Sequence, residues 1–519
     1  MRPAAVLLPA ALAVLVGLPL VLRRQVATPP RDVPRVIVVT PHNEQIRAEF
    51  ARGFDAWHRR RYGQPAQVVW NTPGGTNEIS RMLVSSWEAA LRAGRPPGGD
   101  SDLLFGGGSY EFDRLREPVK VTVTVDGAPQ VREATVLEPI PFDQAWLDEV
   151  YGANDVGGRP LYDPGRMWFG AALSGFGIVW NQRILDRLGV AAPSTWADLA
   201  DPALAGWVAM VNPAQSSSIA TAIEAILQRE GWLGGWRILR RCGANARSFS
   251  AASSRVPIEV SQGEAAAGIC IDFYGRFQAQ AMTVADRAAG DTGVPRLGYV
   301  DPRRRTVIDA DPVAMLRNAP NPETARRFVE FVLSDEGQLL WQLPVGAPGG
   351  PSEFELRRMP IRRDVIRSRM GDFVDRVDPF EIAQRPENPP PSARDFVAPT
   401  FVSMVMDNHE LLAAAWARIR MHPAYPAGRA VVTAADVTDP QLKRWLEAFD
   451  ALPRIPGPEG RMLDLADPAQ LREISAGWIK GGWKDAGVWP AGEKGSEQLR
   501  LLLRRFFEER YRSILEGAA

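Results

Sequence analysis

Three consecutive serines, Ser216, Ser217 and Ser218, stand between an apolar, strand-like run at residues 206–211 and a segment with helical spacing. A serine hydroxyl at the start of a helix accepts a hydrogen bond from an amide that the first turn leaves unpaired. One cap needs one serine, so two hydroxyls remain beside free amides and the positive end of the helix dipole. That combination suits an anion. Two interpretations stay open: a cap with solvated neighbours, or one wall of an anion site.

Polar or glycine-rich loops also follow three strand-like runs near the start of the chain. The candidate binding residues in these loops are His42 and Asn43, then Gly75 and Thr76, then Gly107, Gly108 and Ser109. Each loop leads into residues with helical spacing, and strand, loop and helix repeated in this way predict an open, mostly parallel sheet flanked by helices. Ligands in such sheets bind beyond the carboxyl ends of the strands, where these loops would lie.

The same pattern continues in the middle of the chain. Residues 173–181 form a β-like segment that contains Ser174 and closely spaced glycines, and residues 268–272 form another apolar strand. Tyr274 and Arg276 lie two and four residues after the end of this second strand. His42, one of only four histidines, is either a solvated loop residue or a ligand-binding group.

Composition argues against several functions. Acidic and basic residues balance at 61 each, so no global field attracts nucleic acid or an anionic membrane. The sequence has no Gly-x-Ser-x-Gly element, and a carboxylate pair such as Asp309 and Asp311 is more typical of strand ends or turns than of an acid–base pair. We therefore do not expect an enzyme. Without a CxxC or Cys/His cluster, a zinc site is not expected either.

Two further segments bear on location and redox state. Residues 4–22 carry no charge and are flanked by arginines, which predicts an export signal, either removed or retained as a membrane anchor, and then a linker to residue 34. The protein would then be periplasmic or otherwise extracytoplasmic. Cys242 and Cys270 could form a disulfide in an exported chain, or remain buried and unpaired.

Two blocks of motifs occur in a fixed order. The first runs from the glycine-rich strand that ends at Trp180 and Asn181, through PSTWADL at residues 193–199, to the proline and serines at residues 213–218. The second spans residues 311–338. In order and spacing these blocks resemble the iron(III)-type extracellular solute-binding proteins of ABC importers, and the likeness covers roughly residues 35–351.

The resemblance implies an α/β, two-lobed type II periplasmic-binding fold with open, mostly parallel sheets, and a ligand trapped between the lobes by hinge closure. Lobe one would comprise residues 35–165 and 301–380, and lobe two residues 166–300, with the chain crossing near residues 162–174 and 297–301. Residues 381–519 would form a mainly helical C-terminal extension. In it we predict a linker at residues 384–394 and helices at residues 401–421, 440–451 and 498–517.

The resemblance leaves two ligands open. Relatives that bind ferric iron commonly use two adjacent tyrosines with a histidine or carboxylate, and here Phe273 precedes Tyr274, so an iron site would rest on His42 and Tyr274 as metal ligands. The other ligand is a small anionic solute, such as a phosphorylated or carboxylated metabolite. It would be held by the glycine-rich loops and the three serines, with Arg276 as a clamp. We favour the anion.

These observations predict a solute-binding receptor, not an enzyme, that works as a monomer with an ABC permease in the inner membrane and without nucleic acid. It needs no cofactor, and bound ferric iron is the alternative cargo. A sensory or scaffold domain that has kept the binding fold is the alternative function.

Overall fold

A computed structural model of the chain describes residues 33–302, 304–385, 394–457, 461–470 and 495–517. The predicted export signal or anchor lies outside the described residues, and so does most of the predicted linker at residues 384–394. Among the described helices, none combines the length and the apolar character needed to span a membrane.

The strands alternate with helices through the first two thirds of the chain. The strands are β1 Arg35–Val39, β2 Gln67–Asn71, β3 Leu103–Phe105, β4 Val119–Val125, β5 Ala128–Ala134, β6 Leu137–Glu138, β7 Phe169–Asn181, β8 Val208–Val211, β9 Ala246–Ser250, β10 Ala267–Ile271, β11 Leu297–Val300, β12 Ile308–Leu316, β13 Arg454–Pro456 and β14 Met462–Asp464.

Most helices before the extension begin directly after a strand. The helices are Glu44–Tyr62, Thr76–Arg92, Ser109–Arg116, Gln144–Tyr151, Gln182–Leu188, Ser217–Arg229, Trp232–Ala244, Arg255–Gln262, Asp272–Ala288, Pro322–Leu333, Asp335–Leu339, Arg363–Arg369, Pro379–Ile382, Arg394–Phe401, His409–Arg420, Pro440–Asp450 and Gly495–Glu516. Short 3₁₀ turns and one π-helical segment, Val402–Met406, complete the described secondary structure.

One continuous sheet contains two sets of parallel strands. Its order is β2-β1-β3-β12-β7-β10-β8-β9, with β6 paired to β12 and β11 paired to β7. The sets β2-β1-β3 and β10-β8-β9 are each parallel, whereas β12 and β7 pair antiparallel with their neighbours. This arrangement confirms the predicted α/β fold.

Strand β7 joins the two sets of parallel strands. Its first half pairs with β12, in a register that places Ser174 opposite Asp309, and its second half pairs with β10 and β11. The hydrophobic packing changes along the same strand. Residues 36–173 and 308–361 contribute to one cluster, called the first core below, whereas residues 176–307 contribute to another, called the second core.

The chain returns to the first core later than the sequence suggested. Leu297 and Val307 both pack in the second core, and Ile308 is the next residue to join the first core. The return therefore lies at residues 307–308 rather than at residues 297–301. Strand β11 belongs to the second core because it pairs with the second half of β7.

The extension does not form a separate core. Its apolar residues between Phe396 and Ile514 are part of the second core. The prediction of one helix over residues 401–421 is wrong, because the π-helical segment and a turn interrupt it. The side-chain amide of Asn408 donates hydrogen bonds to the backbone carbonyls of Ser403 (2.9 Å) and Arg504 (3.0 Å). This side chain therefore replaces the regular backbone hydrogen bonds of a helix at that point.

Both cysteines are free and buried. Cys242 lies in the helix Trp232–Ala244 and Cys270 lies in β10, and burial raises the pKa of each thiol. Of the two fates that the sequence left open, the structure shows the unpaired one.

Candidate ligand-binding site

A cavity of about 300 Å³ lies between the two cores, and its walls come from both. The first core contributes residues 41–43, 75–77 and 107–108, and the second contributes residues 215–218, 251–254 and 271–274. Each of these six loops follows a strand and leads into the first turn of a helix. Six helix N-termini therefore border one cavity, and each contributes partial positive charge.

The three serines lie on the wall from the second core. Ser216 is the N-cap of the helix Ser217–Arg229, yet its side chain accepts no capping hydrogen bond from that helix. Its hydroxyl instead lies 3.0 Å from the hydroxyl of Ser218, which lies 3.3 Å from that of Ser253. These hydroxyls form a chain along the cavity, where capping alone would have needed only one of them.

An ion-pair network forms the wall from the first core. Nε2 of His42 lies 2.9 Å from Oδ2 of Asp311, and Arg358 pairs with the same carboxylate. Oδ1 of Asp311 accepts a hydrogen bond from the amide of Gly107 (2.6 Å), and Arg358 donates to the hydroxyl of Ser174 (2.7 Å). All these side chains are buried, so the network holds the arginine at a fixed place beside the cavity.

The pKa shifts in this network describe a neutral imidazole beside an ionised carboxylate. Burial lowers the pKa of His42 and outweighs the opposing effect of Asp311. Burial by itself would raise the pKa of Asp311, but the charge of Arg358 and the contact with His42 hold it below its usual value. Nδ1 of His42 and Nε of Arg358 are buried without a hydrogen-bond partner among the described residues.

The structure brings together most of the residues predicted from the sequence. Those that line the cavity are His42, Asn43, Gly75, Thr76, Gly107, Gly108, Ser174, Ser216, Ser217, Ser218 and Tyr274.

Two predicted residues do not line the cavity. Ser109 donates its hydroxyl to Oδ1 of Asp309 at 2.6 Å, and Arg276 pairs with Asp301. The predicted clamp role of Arg276 therefore does not fit, because its guanidinium already neutralises a carboxylate of its own core. The amide of Gly107 is likewise engaged, with Asp311, rather than free to meet a ligand.

Sequence reasoning missed Arg358 and underrated Asp309 and Asp311. The two carboxylates lie on either side of Ala310 in β12 rather than at a turn. Asp309, Ala310 and Asp311 all line the cavity. Strand alternation places both carboxylates on one face, which is a signal that the sequence carried. Arg358 lies 47 residues beyond Asp311, and nothing in its local sequence relates it to the site.

The cavity residues fit ferric iron poorly. Burial raises the pKa of the single phenol, Tyr274, and the adjacent Phe273 offers only a ring, which lies 4.6 Å from the guanidinium of Arg358. The charge of Asp311 is already balanced by that arginine. Within the part of the chain that the structure describes, no group of three His, Cys, Asp or Glu side chains is placed to hold a metal ion.

Residues 130–355 match the family model described as bacterial extracellular solute-binding protein. Over these residues, which are less than half of the chain, the chain is similar to the bacterial extracellular solute-binding proteins. The match includes β7, β12 and the serine loop, and it confirms the family resemblance drawn from the motifs and the type II periplasmic-binding fold.

The curated relatives match a limited part of their length. The chain is 28% identical over 167 residues to the phosphoglycerate transport regulatory protein PgtC of Salmonella typhimurium. These aligned residues make up 32% of this chain and 38% of that protein. An uncharacterised protein of Haemophilus influenzae is 28% identical over 170 residues, which cover 32% of this chain and 45% of that one.

Solved structures of periplasmic binding proteins are similar at low identity. AfuA from Actinobacillus pleuropneumoniae, with fructose-6-phosphate bound, gives a TM-score of 0.44 at 19% identity, covering 59% of this chain and 81% of its own. Iron-bound HitA from Pseudomonas aeruginosa gives a TM-score of 0.49 at 16% identity, covering 72% of this chain and 99% of its own.

Proposed function

We propose that this protein is a periplasmic receptor that captures a small anionic solute, phosphorylated or carboxylated, and delivers it to an ABC permease. The observation that carries the proposal is the meeting of six helix N-termini and a row of serine hydroxyls around one cavity. Amides at helix N-termini bind phosphate and carboxylate groups without any added cation. The hydroxyls of Ser216 and Ser218 add donors to this arrangement.

Hinge closure is the second part of the proposal. The first and second cores, without the extension, would act as the two lobes, and the hinge would lie where the chain passes between them, at residues 173–176 and 307–308. A ligand that contacts loops from both cores favours the closed arrangement by its differential affinity. The contact between Arg358 and the ring of Phe273 joins the two sides beside the cavity.

The name of one relative supports the anion over ferric iron. The Salmonella protein is named for phosphoglycerate, which carries both a phosphate and a carboxylate. Ferric iron would need several anionic oxygens around it, and here the principal carboxylate at the cavity is paired with an arginine.

A thermal-shift screen tests this function. Phosphorylated metabolites, dicarboxylates and ferric citrate are added separately, and we expect a phosphorylated or carboxylated compound to raise the melting temperature by mass action. In Ser217→Ala combined with Ser218→Ala, the affinity for that compound should fall about tenfold or more, because hydrogen bonds to charged groups contribute about 1.5–3 kcal/mol.

The matched control removes two serine hydroxyls far from the cavity. Ser368 is exposed and Ser513 is half-buried, and both bond to carbonyls of their own helices, so replacing both with alanine should leave the affinity unchanged. Equal affinity in the Ser217/Ser218 variant would remove these hydroxyls from the site. A stabilising effect of ferric citrate alone would favour iron as the ligand.

A sensory role is the second candidate function, and two observations favour it. The Salmonella relative is named a transport regulatory protein. The extension packs into the second core, so a signalling contact on the extension would respond to ligand binding. Deleting the gene distinguishes the roles. A receptor for import is required for uptake of the radiolabelled solute, whereas a sensor is required for the transcriptional response to it.

A further inference from the structure

A second cavity, of about 440 Å³, adjoins the first one. Asn77 and Ser217 line both cavities, so they stand at the boundary between the two. The second cavity is bordered by the helices Thr76–Arg92 and Ser109–Arg116 from the first core and by the serine loop from the second. The two cavities are therefore adjacent at these two residues.

The walls of the second cavity have a different chemistry. Val84, Leu115 and Ala220 present apolar groups, whereas Arg81 and Arg114 present guanidinium groups. The guanidinium of Arg114 lies 6.0 Å from the centre of the Tyr110 ring. Flat guanidinium and phenol groups next to aliphatic side chains suit a planar aromatic ring, which stacks on them and buries its faces.

The C-terminal extension supplies one wall of this cavity. Ala398 and Pro399, in the helix Arg394–Phe401, line it, while Phe396 and Phe401 in the same helix are buried in the second core. The wall is therefore held by the packing of the extension. Without the extension, the second cavity would be open on that side.

We propose that the second cavity binds an aromatic group of the same ligand whose anionic group occupies the first cavity. This inference rests on the proposed function and narrows the ligand to a phosphate monoester or carboxylate with an aromatic substituent. The extension then determines which solute is bound, since it completes the part of the site that recognises the aromatic group.

A ligand series tests the inference by calorimetry on the full-length protein. Glycerol 3-phosphate fills only the first cavity, whereas phenyl, 2-phenylethyl and 4-phenylbutyl phosphate carry a ring on spacers of increasing length. We expect one member of the phenyl series to bind at least about tenfold more tightly than glycerol 3-phosphate, because an aromatic contact adds to the phosphate contacts. 4-Phenylbutanol, which lacks the phosphate, should bind far more weakly.

Two variants fill the second cavity from opposite walls. Ala398→Trp and Val84→Trp should each abolish the advantage of the phenyl series while leaving the affinity for glycerol 3-phosphate within about twofold. Ala424→Trp, at an exposed position of the extension, is the matched control and should change neither affinity. If the melting temperature shows that one of the two tryptophan variants does not fold, the other tryptophan variant supplies the test.

The outcomes separate this inference from the proposed function. If glycerol 3-phosphate binds and no phenyl compound binds more tightly, or if phenylbutanol binds as well as its phosphate, the inference is overturned and the receptor function stands. If the phenyl advantage survives in both tryptophan variants, the ring binds elsewhere and the inference is also overturned. If neither these phosphates nor the other anions of the screen bind, the proposed function itself fails.

Discussion

At the scale of single residues, the site depends on which polar groups the protein itself already uses. Asp311 accepts bonds from Gly107, His42 and Arg358, so those donors are positioned by a carboxylate of the chain. A carboxylate buried with partners on both oxygens stays ionised and keeps its neighbours in one arrangement. The hydroxyls of Ser216, Ser218 and Ser253 lie within hydrogen-bond distance of one another along the cavity, and we propose that the serines make the direct ligand contacts.

Asp272 is a second buried carboxylate, next to the strand that connects the cores. It is fully buried, Nη1 of Arg276 lies 3.9 Å from its Oδ2, and Asp301 lies nearby. Burial raises its pKa from 3.8 to about 7, despite the opposing charge of Arg276. The folded protein therefore retains a proton on this side chain at pH values where the unfolded chain has lost it.

This shift predicts a pH dependence of stability. The contribution of the protonated Asp272 is fully present below about pH 4 and is lost as the pH rises through about 7. Asp272→Asn, which cannot ionise, should gain stability relative to the wild type by a few kcal/mol between pH 4 and pH 8, since one pKa unit corresponds to about 1.4 kcal/mol. Urea unfolding at several pH values measures the difference.

The control for this measurement is Asp100→Asn at an exposed position. The contribution of His42, whose lowered pKa makes stability rise with pH instead, is common to both proteins and cancels in the comparison. A difference between Asp272→Asn and wild type that stays constant from pH 4 to pH 8 would show that Asp272 titrates normally.

At the scale of elements, the extension is integrated with the second core. Trp416, in the helix His409–Arg420, is buried, stacks on Phe449 with ring centres 5.6 Å apart, and lies under the guanidinium of Arg241. Its Nε1 donates to Oδ1 of Asn245 at 2.9 Å, and Asn245 in turn bonds to the carbonyls of Leu199 and Asp201. The extension is thus linked to the loop that precedes β8.

This packing predicts a large effect of Trp416→Ala. The substitution leaves a cavity and removes the hydrogen-bond donor of a buried amide oxygen, so we expect the free energy of unfolding to fall by about 3–5 kcal/mol. Met421→Ala, at a position 74% exposed, is the control and should cost less than about 0.5 kcal/mol. A separate unfolding transition for the extension would contradict the shared core.

At the scale of the whole molecule, strand β7 contributes to both cores, and the chain returns to the first core at residues 307–308. Strand β7 contributes Leu173 to the first core and Phe176 to the second, and between them Gly175 has Ile308 and Asp301 as close neighbours. A cavity bordered by both cores, with so few residues connecting them, is suited to open and close by a change at these residues.

Hinge closure predicts a change of shape on binding. Small-angle X-ray scattering should show a smaller radius of gyration when the most stabilising compound of the thermal-shift screen is added, because loops from both cores contact one ligand. The variant with alanine at Ser217 and Ser218, measured at the same ligand concentration, should show a smaller decrease. An unchanged radius at saturation would contradict hinge closure.

Much of the fold and part of the site were predictable from local patterns. Apolar periodicity and the loops after each strand predict helices over residues 45–62 and 78–92, which start within two residues of the observed helices Glu44–Tyr62 and Thr76–Arg92. The helix break at Asn408 was not predictable, because it depends on a bond to the carbonyl of Arg504, 96 residues away. The assignment of residues to lobes stays a prediction, as do the ligand contacts.

The sequence by itself determined the family resemblance, the alternation of strands and helices, and the set of loops that carry hydroxyls and main-chain amides, since all of these depend on spacing along the chain. Only the tertiary structure decided which of these groups are available. Ser109 is engaged by Asp309, 200 residues away, and Arg276 is engaged by Asp301, whereas Arg358 reaches the cavity from outside any recognisable motif. The physical reason is that hydrogen bonds and ion pairs form between groups that are close in space, and local spacing does not record the long-range pairing.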